Sequence, residues 1–145
     1  MAQKIFPRVL EQASGLVETD GRVALCQIVR TEGSTPGKPG WKMLVRTGGE
    51  ALGNLGGGAF EALVKVDAAE KLAEADPLAE IKRYYFTEEA TRGEPTGMVC
   101  GGMAEVFLEV MTSSPVLVVC GGGPVGQAVA VAGELADFEI VVVED

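Results

Sequence analysis

Three glycine-rich segments contain most of the residues of this chain that are suited to binding a ligand. They are Gly33-Ser-Thr-Pro-Gly-Lys-Pro-Gly40, Gly53-Asn-Leu-Gly-Gly-Gly58 and Val99-Cys-Gly-Gly102. Glycine costs folding entropy, so clusters of it indicate strained backbone or the close approach of a ligand. Turns of a small sheet explain any one segment equally well, but the presence of all three favours a ligand surface.

The polar groups in and beside these segments suit an anionic ligand. Ser34 and Thr35 offer hydroxyl groups, and Lys38 offers a point charge. Gly56-Gly-Gly58 comes just before a predicted helix, where backbone N–H groups at the positive end of the dipole bind phosphate or carboxylate. Solvated loop residues are the alternative reading, and for Lys42 alone they are the better one.

Cys100 and Glu61 are the residues with the most reactive side chains near these segments. Cys100 has glycines beside it, so it is either a soft-metal ligand or sulfur carrier, or a small buried apolar residue. Glu61 falls in the first turn of a predicted helix and either complements the dipole or acts as a functional carboxylate. Cys26, in mid-strand, and Cys120, ending a buried strand, are predicted to be structural.

A different site is predicted near residue 120. The apolar run from Val116 to Cys120 is typical of a buried strand, and a helix is predicted from Val125 to Ala136. Between them runs G-x-G-x-x-G, made by Gly121, Gly123 and Gly126. This order predicts the phosphate loop of a Rossmann unit.

The second strand of that unit is predicted from Ile140 to Val143. Glu144 or Asp145 follows it, where an acidic side chain would bind ribose hydroxyls. The sequence predicts only these two strands of a Rossmann sheet, so we expect a fragment, or a fold that another chain completes. Unpaired apolar strands at 116–119 and 140–143 would seek a partner, which predicts a homodimer.

The bulk composition excludes several classes of function. A net charge of −9 and a pI of about 4.5 predict no nucleic-acid or membrane partner. The chain has no histidine, which excludes a Ser-His-Asp triad or Cys-His pair made by this chain alone. Three cysteines without C-x-x-C, and no leader-like or membrane-spanning segment, indicate reduced thiols and a cytoplasmic location.

The periodicity predicts an α/β protein in two parts, 1–112 and 113–145. Helices are predicted at Lys4–Thr19 and Ala59–Ala75, the latter with one apolar face formed by Leu63, Val66, Ala69 and Leu72. The predicted strands are Arg22–Arg30, Trp41–Arg46, Ala51–Gly58, Ile81–Thr87 and Glu105–Met111.

Five motifs in order along the chain resemble those of the xanthine dehydrogenase accessory factor family, XdhC/CoxI. They are Arg30-Thr-Glu-Gly-Ser-Thr-Pro-Gly-Lys-Pro-Gly-Trp-Lys-Met43, Leu55-Gly-Gly-Gly58 with Glu61, Gly97-Met-Val-Cys-Gly-Gly102, Glu105-Val-Phe-Leu-Glu109 and Val116-Leu-Val-Val-Cys-Gly-Gly-Gly123. The resemblance implies an α/β domain of that type, followed by the first strand-helix-strand unit of a Rossmann-like fold.

The resemblance also implies a function. It is that of a chaperone rather than an enzyme, which binds molybdenum cofactor (molybdopterin) and assists its sulfuration and its insertion into a xanthine or carbon monoxide dehydrogenase-type hydroxylase. The implied partners are the apo-hydroxylase and a cysteine desulfurase-type sulfur donor. The implied cofactor surface is Ser34, Thr35, Lys38, Gly56, Gly57, Gly58, Glu61 and Cys100, with Cys100 near molybdenum or its sulfur.

Two other functions remain open from the residues. One is an NAD(P)-dependent oxidoreductase, or part of one, which would bind NAD(P) or another nucleotide once the Rossmann part is completed. Its nucleotide-binding residues would be Gly121, Gly123, Gly126 and Glu144. The other is an interaction domain that docks on a hydroxylase subunit. Missing histidine and the Pro124 in the glycine loop count against nucleotide chemistry by this chain alone.

Overall fold

The computed structural model describes residues 6–86, 94–95 and 101–144. It divides the chain into two units, Met1–Thr112 and Ser113–Asp145. The predictions for Lys4, Thr87, Cys100 and Asp145 lie outside the described residues, as do the first four residues of the Gly97–Gly102 motif. The described chain combines three helices with eight strands, which confirms the α/β class.

The first unit is built on a six-stranded sheet. Its elements are α1 (Phe6–Asp20), β1 (Arg22–Glu32), β2 (Lys42–Arg46), β3 (Ala51–Gly53), α2 (Gly58–Ala73), β4 (Glu80–Tyr85), β5 (Glu94–Pro95) and β6 (Met103–Thr112). The strand order is β3-β2-β1-β6-β4-β5. All neighbours are antiparallel except β4 and β5, which run parallel.

The alternation of side chains along β1 separates the two sides of the core. Cys26 and Ile28 are fully buried beneath α2, whereas Val23 and Leu25 point to the opposite face, beneath α1. This two-sided burial explains why β1 reads as a nearly continuous apolar run in the sequence. The two helices therefore pack on opposite faces of β1.

The buried face of α2 differs from the predicted one. The structure buries Phe60, Val64, Ala68 and Leu72, and Val66 is 56% exposed. Of the predicted apolar face, Leu72 is buried and Leu63 is partly buried against the same core, whereas Val66 and Ala69 are exposed, so the prediction is wrong at these two residues. At 3.6 residues per turn a step of three residues drifts by about 60° and a step of four by only about 40°, so the four-residue series keeps closer to one face.

Arg22 closes the C-terminal end of α2 from the neighbouring strand. Its Nη1 donates to the carbonyl oxygens of Leu72 at 2.8 Å and Glu74 at 2.9 Å. Carbonyls at a helix end have no intrahelical partner, and a cation there also complements the dipole. This side chain therefore joins the start of β1 to the end of α2.

We predict that Arg22→Ala lowers the free energy of unfolding by about 1–3 kcal/mol, the usual value of hydrogen bonds to a charged group. Urea denaturation at pH 7 measures the change. Arg30→Ala is the matched control, because the Arg30–Glu32 ion pair is more than half exposed and should contribute under about 1 kcal/mol. Equal losses in the two variants would contradict the role given to Arg22.

Asp20, at the end of α1, makes a two-pronged ion pair with Arg46 of β2. Arg46 Nε and Nη2 donate to the two carboxylate oxygens at 2.6 and 2.9 Å. These hydrogen bonds hold the pKa of Asp20 below its ordinary value of 3.8. The pair joins α1 to the sheet.

A lowered pKa in the folded state means that Asp20 contributes stability above its unfolded pKa, and that this contribution is lost as the pH falls through its folded pKa. We therefore expect Asp20→Asn to be less stable than wild type at pH 7, and the difference to shrink below about pH 4. Denaturation at pH 7, 4 and 3 measures it. Glu50→Gln is the control, because Glu50 is the exposed carboxylate that pairs with the same arginine. Its stability relative to wild type should change little with pH. A stability difference for Asp20→Asn that persists unchanged at pH 3 would refute the role given to Asp20.

The second unit contains β7 (Val116–Cys120), α3 (Pro124–Leu135) and β8 (Glu139–Val143). β7 and β8 pair in parallel over five residues, Val116 opposite Glu139 through Cys120 opposite Val143. The expectation that these strands are unpaired is therefore wrong, because they pair with each other. Gly133 lets α3 approach them, since a Cβ there would lie 2.6 Å from the Ile140 side chain.

The predicted burial of β7 is also wrong for most of the strand. Of its residues only Val119 is buried, and Cys120 is exposed. α3 covers one face of the strand pair, and the valines at 116, 118, 141 and 143 remain 41–55% exposed. Apolar runs predict burial only where a second layer of structure is present, and the described unit has a single helix.

Candidate functional site

The pairing of β1 with β6 brings two of the glycine-rich segments together. Glu32, the last residue of β1, lies opposite Met103, the first residue of β6. Gly33 therefore leaves the sheet where Gly102 enters it. A Cβ at Gly102 would overlap the Ser34 carbonyl oxygen and lie 2.7 Å from the Glu32 carbonyl oxygen. Only glycine allows the two backbones to pass this closely.

The segment from 33 to 40 is folded by its own hydrogen bonds. Thr35 Oγ1 donates to the Gly37 carbonyl at 2.8 Å. The Gly40 N–H donates to the Ile28 carbonyl at 2.7 Å, and the Trp41 N–H donates to the Lys38 carbonyl at 3.1 Å. The loop therefore returns onto β1 as a defined turn.

The middle of this loop packs against the glycine turn before α2. A Cβ at Gly37 would overlap the Leu55 carbonyl oxygen and lie 2.5 Å from the Ile28 side chain. In the reverse direction, a Cβ at Gly56 would lie 2.7 Å from the Pro36 carbonyl carbon. The three segments therefore form one continuous cluster, 101–102 against 33–34 and 36–37 against 55–56, which we call the glycine cluster.

Side-chain acceptors hold the turn before α2. Glu61 Oε2 accepts the backbone N–H groups of Leu55 and Gly57, each at 3.2 Å. Asn54 Oδ1 accepts the N–H of Gly56, which has φ of 124°. Glycine is the residue that most readily adopts this φ, and because glycine is flexible the turn depends on these side-chain hydrogen bonds for its order.

Positive charge borders the glycine cluster. Lys38 is exposed on the loop, and Lys65 Nζ lies 3.3 Å from Glu61 Oε1. Lys42 follows the loop, its Nζ donates to the Gly40 carbonyl at 3.4 Å, and burial lowers its pKa. α2 has no side-chain N-cap, and helix geometry leaves its first N–H groups without intrahelical partners. These groups suit a ligand carrying negative charge or hydrogen-bond acceptors.

Most of the site residues predicted from sequence lie in or beside this cluster. Thr35, Gly56 and Gly57 form its backbone contacts and hydrogen bonds, and Ser34 is exposed beside Gly102. Gly58 begins α2. Cys100 lies outside the described residues, although the two glycines after it belong to the cluster.

Two residues that the sequence analysis missed also shape the site. Asn54 ties the glycine turn, and Lys65 pairs with Glu61. An asparagine two residues before a glycine is a signal for such a turn. Lys65 stands four residues after Glu61 in a helix, the spacing of an ion pair. Both signals were present in the sequence.

A second polar cluster lies under α2, away from the glycines. Asp67 accepts hydrogen bonds from Lys82 Nζ and from the Tyr84 hydroxyl. Burial, with the charge of Asp67, raises the pKa of Cys26 to about 12, so this thiol stays protonated. The structural reading of Cys26 agrees with this environment, and we assign the cluster a packing role.

The second unit carries the loop of the dinucleotide type. A Cβ at Gly126 would overlap the Gly121 carbonyl oxygen, so the third glycine allows α3 to begin against the loop. The Gly121 N–H donates to the Val143 carbonyl at 2.8 Å. An open depression of about 400 Å³ is lined by Cys120, by most residues of this loop and by the neighbouring valines Val119 and Val129. The Glu144 carboxylate lies against Gly122, where it would oppose a diphosphate.

No clustered metal ligands occur in the described part of the chain, in the sense of three or more histidine, cysteine, aspartate or glutamate side chains placed together. None of its helices is both long and apolar enough to cross a membrane.

We predict that Gly37→Ala destabilises the first unit by about 1–3 kcal/mol, because the new methyl group must displace the Leu55 carbonyl. Thermal or urea unfolding measures it. Gly15→Ala is the matched control: it lies in α1 with nothing within 4 Å of the added Cβ, and should stabilise by up to about 1 kcal/mol. If Gly37→Ala were as stable as wild type, the close packing of the loops would be refuted.

The family match lies within the first unit, whereas the structural match extends over most of the chain. Residues 16–84 match the XdhC and CoxI family. A similar solved structure is the crystal structure of a xanthine dehydrogenase from Bacillus halodurans, with a TM-score of 0.54 and 17% sequence identity. The match covers 92% of this chain and 61% of that one, so the chain spans about three fifths of its length. At this identity the likeness shows the fold alone. No curated protein matches the sequence.

Proposed function

From the match of residues 16–84 to the XdhC and CoxI family, which is linked to xanthine dehydrogenase maturation, we propose that this chain is a molybdenum cofactor-binding chaperone. It holds the cofactor while the terminal sulfur is installed, and passes it to a xanthine or carbon monoxide dehydrogenase-type apoenzyme. In this proposal the protein is an accessory factor that works in the cytoplasm.

The glycine cluster is the observation that carries this proposal. Backbones approach each other there at Gly102, Gly37 and Gly56 more closely than side chains permit. Ordering so many glycines costs chain entropy, and binding of a ligand by the exposed backbone would offset that cost. A surface of backbone edges suits a flat pterin, whose ring presents several hydrogen-bond donors and acceptors.

The polar residues around the cluster fit the other parts of the cofactor. Ser34 and Lys38 are exposed and can bind the pterin phosphate, as can the first N–H groups of α2, which has no side-chain N-cap. When bound, the cofactor brings a soft metal with sulfur ligands. Cys100 is the thiol we assign to it, because it adjoins Gly101 and Gly102 in the chain.

The proposed partners follow from this function. They are an apo molybdenum hydroxylase, a cysteine desulfurase-type sulfur donor and a second copy of the chain. The exposed valine face of β7 and β8 supports the homodimer, because apolar strand surface is costly in water. A clean monomer in light scattering at micromolar concentration would refute the dimer without affecting cofactor binding.

A second candidate function is nucleotide binding by the second unit. The packing of Gly126 under the Gly121 carbonyl is the observation that favours it, because this is the geometry that brings a helix start to a phosphate. Gly123 completes the proposed nucleotide loop, whereas the Glu144 carboxylate, beside Gly122, would oppose a phosphate at that loop. A titration with NADH or NADPH discriminates: micromolar binding with turnover would favour an NAD(P)-dependent oxidoreductase over the chaperone.

The chaperone is tested by anaerobic loading with molybdenum cofactor, reading the molybdenum that is retained after desalting. We expect near-stoichiometric retention by wild type and at least about tenfold weaker binding by the Ser34→Ala/Lys38→Ala double variant, which loses a hydroxyl and a charged phosphate contact. Cys100→Ser should also lose retention if the thiol binds the metal.

Lys71→Ala is the control for removing a lysine, since Lys71 pairs with Glu74 and Glu80 at the far end of α2. It should retain the cofactor as wild type does. No retention by wild type would refute the chaperone, and retention by Cys100→Ser would leave that thiol a packing role.

A further inference from the structure

We infer that Glu61 is a positioning residue, which holds the turn before α2 in the glycine cluster by hydrogen bonds, and that it does not itself bind the ligand. The inference rests on the proposed function, since it assigns a role within the same cofactor surface. The inference differs from the family resemblance, which implies that Glu61 is one of the residues that bind the cofactor.

The hydrogen bonds of the Glu61 carboxylate leave little of it for a ligand. Oε2 accepts the N–H groups of Leu55 and Gly57, and Oε1 faces the Lys65 ammonium at 3.3 Å. An ionised carboxylate offers about four acceptor positions, and three donors already occupy three of them. The side chain is only 16% exposed.

The turn that Glu61 holds has little conformational preference of its own. Gly56 and Gly57 have φ of 124° and 76°, and glycine loses more freedom on ordering than any other residue. Charge-assisted hydrogen bonds to backbone N–H groups are among the stronger ties available for such a segment. Glu61 binds on both sides of Gly56, at residues 55 and 57, and so restrains the turn at two points.

The restraint passes from this turn to the neighbouring loop. The Leu55 carbonyl oxygen is the group that Gly37 packs against, and Gly56 packs against Pro36. The next residues along that loop, Ser34 and Gly33, contact Gly102 and Gly101. Movement of the turn would therefore displace the loop that carries the proposed phosphate ligands.

Glu61 also sets the charge at the start of α2. Its carboxylate lies beside the positive end of the helix dipole and takes up two of the N–H groups that precede the helix. An anionic ligand then depends on Lys38, Ser34 and the first N–H groups of the helix. The glycine turn serves as a shaped wall of the site.

The first test measures the turn without any cofactor. We expect amide hydrogen exchange at Leu55 and Gly57 to be at least about tenfold faster in Glu61→Ala than in wild type, because each N–H loses a charged acceptor. Glu61→Gln should keep the protection, since its amide oxygen can accept the same two bonds. Glu61→Asp, whose shorter side chain withdraws the carboxylate, replaces Glu61→Ala should that variant fail to fold.

The second test measures molybdenum cofactor retention by the same variants. Glu61→Ala should bind at least about tenfold more weakly, and Glu61→Gln should bind as wild type does. Arg22→Ala is the matched control, because it weakens the opposite end of α2 and should lower stability without changing exchange at Leu55 and Gly57 or cofactor retention.

Three results would separate the possibilities. Loss of retention in Glu61→Gln with the amide protection intact would make Glu61 a direct ligand and overturn the inference. Unchanged exchange in Glu61→Ala would overturn it too. Failure of wild type to retain the cofactor would refute the proposed function alone, because the exchange measurement still decides whether Glu61 holds the turn.

Discussion

The close packing of backbone on backbone in the glycine cluster is the constraint on which the rest of the site depends. Gly102 passes the Ser34 carbonyl, Gly37 passes the Leu55 carbonyl, and any Cβ at these positions would overlap an oxygen atom. Each contact joins segments far apart in sequence, so the loops can form only after the sheet has aligned them. The cost in chain entropy is offset by the hydrogen bond that the Thr35 hydroxyl donates and by those that the Asn54 and Glu61 side chains accept.

The sheet provides that alignment through its two central strands. β1 and β6 pair along almost their whole lengths, so the end of one and the start of the other open at the same edge. α2 then carries Glu61 to the same place, because Phe60 is anchored between Tyr84 and Phe86 at ring distances of 5.4 and 5.1 Å. The helix end is thus fixed by packing, and its carboxylate is available to hold the turn.

The sequence was sufficient to predict the helices, the main strands and the glycine-rich segments, because periodicity and glycine content are local signals. It could not show which glycine faces which carbonyl, since Gly37 meets Leu55 only through the tertiary fold. The buried face of α2 was mispredicted because steps of three and four residues compete on one helix. Cys120 was expected to end a buried strand and is exposed, because burial needs a covering layer that no strand pattern contains. For Glu61 both the dipole role and a functional role were foreseen, but its hydrogen bonds to Leu55 and Gly57 were not.

A titration of isotope-labelled protein with molybdenum cofactor, followed through its backbone amide NMR signals under anaerobic conditions, tests the central claim most directly. The account predicts that the largest changes fall on the glycine cluster, at Ser34, Gly57 and Gly102, and that signals of the second unit change little. Changes confined to the loop from Gly121 to Gly126, or no saturable changes, would contradict it.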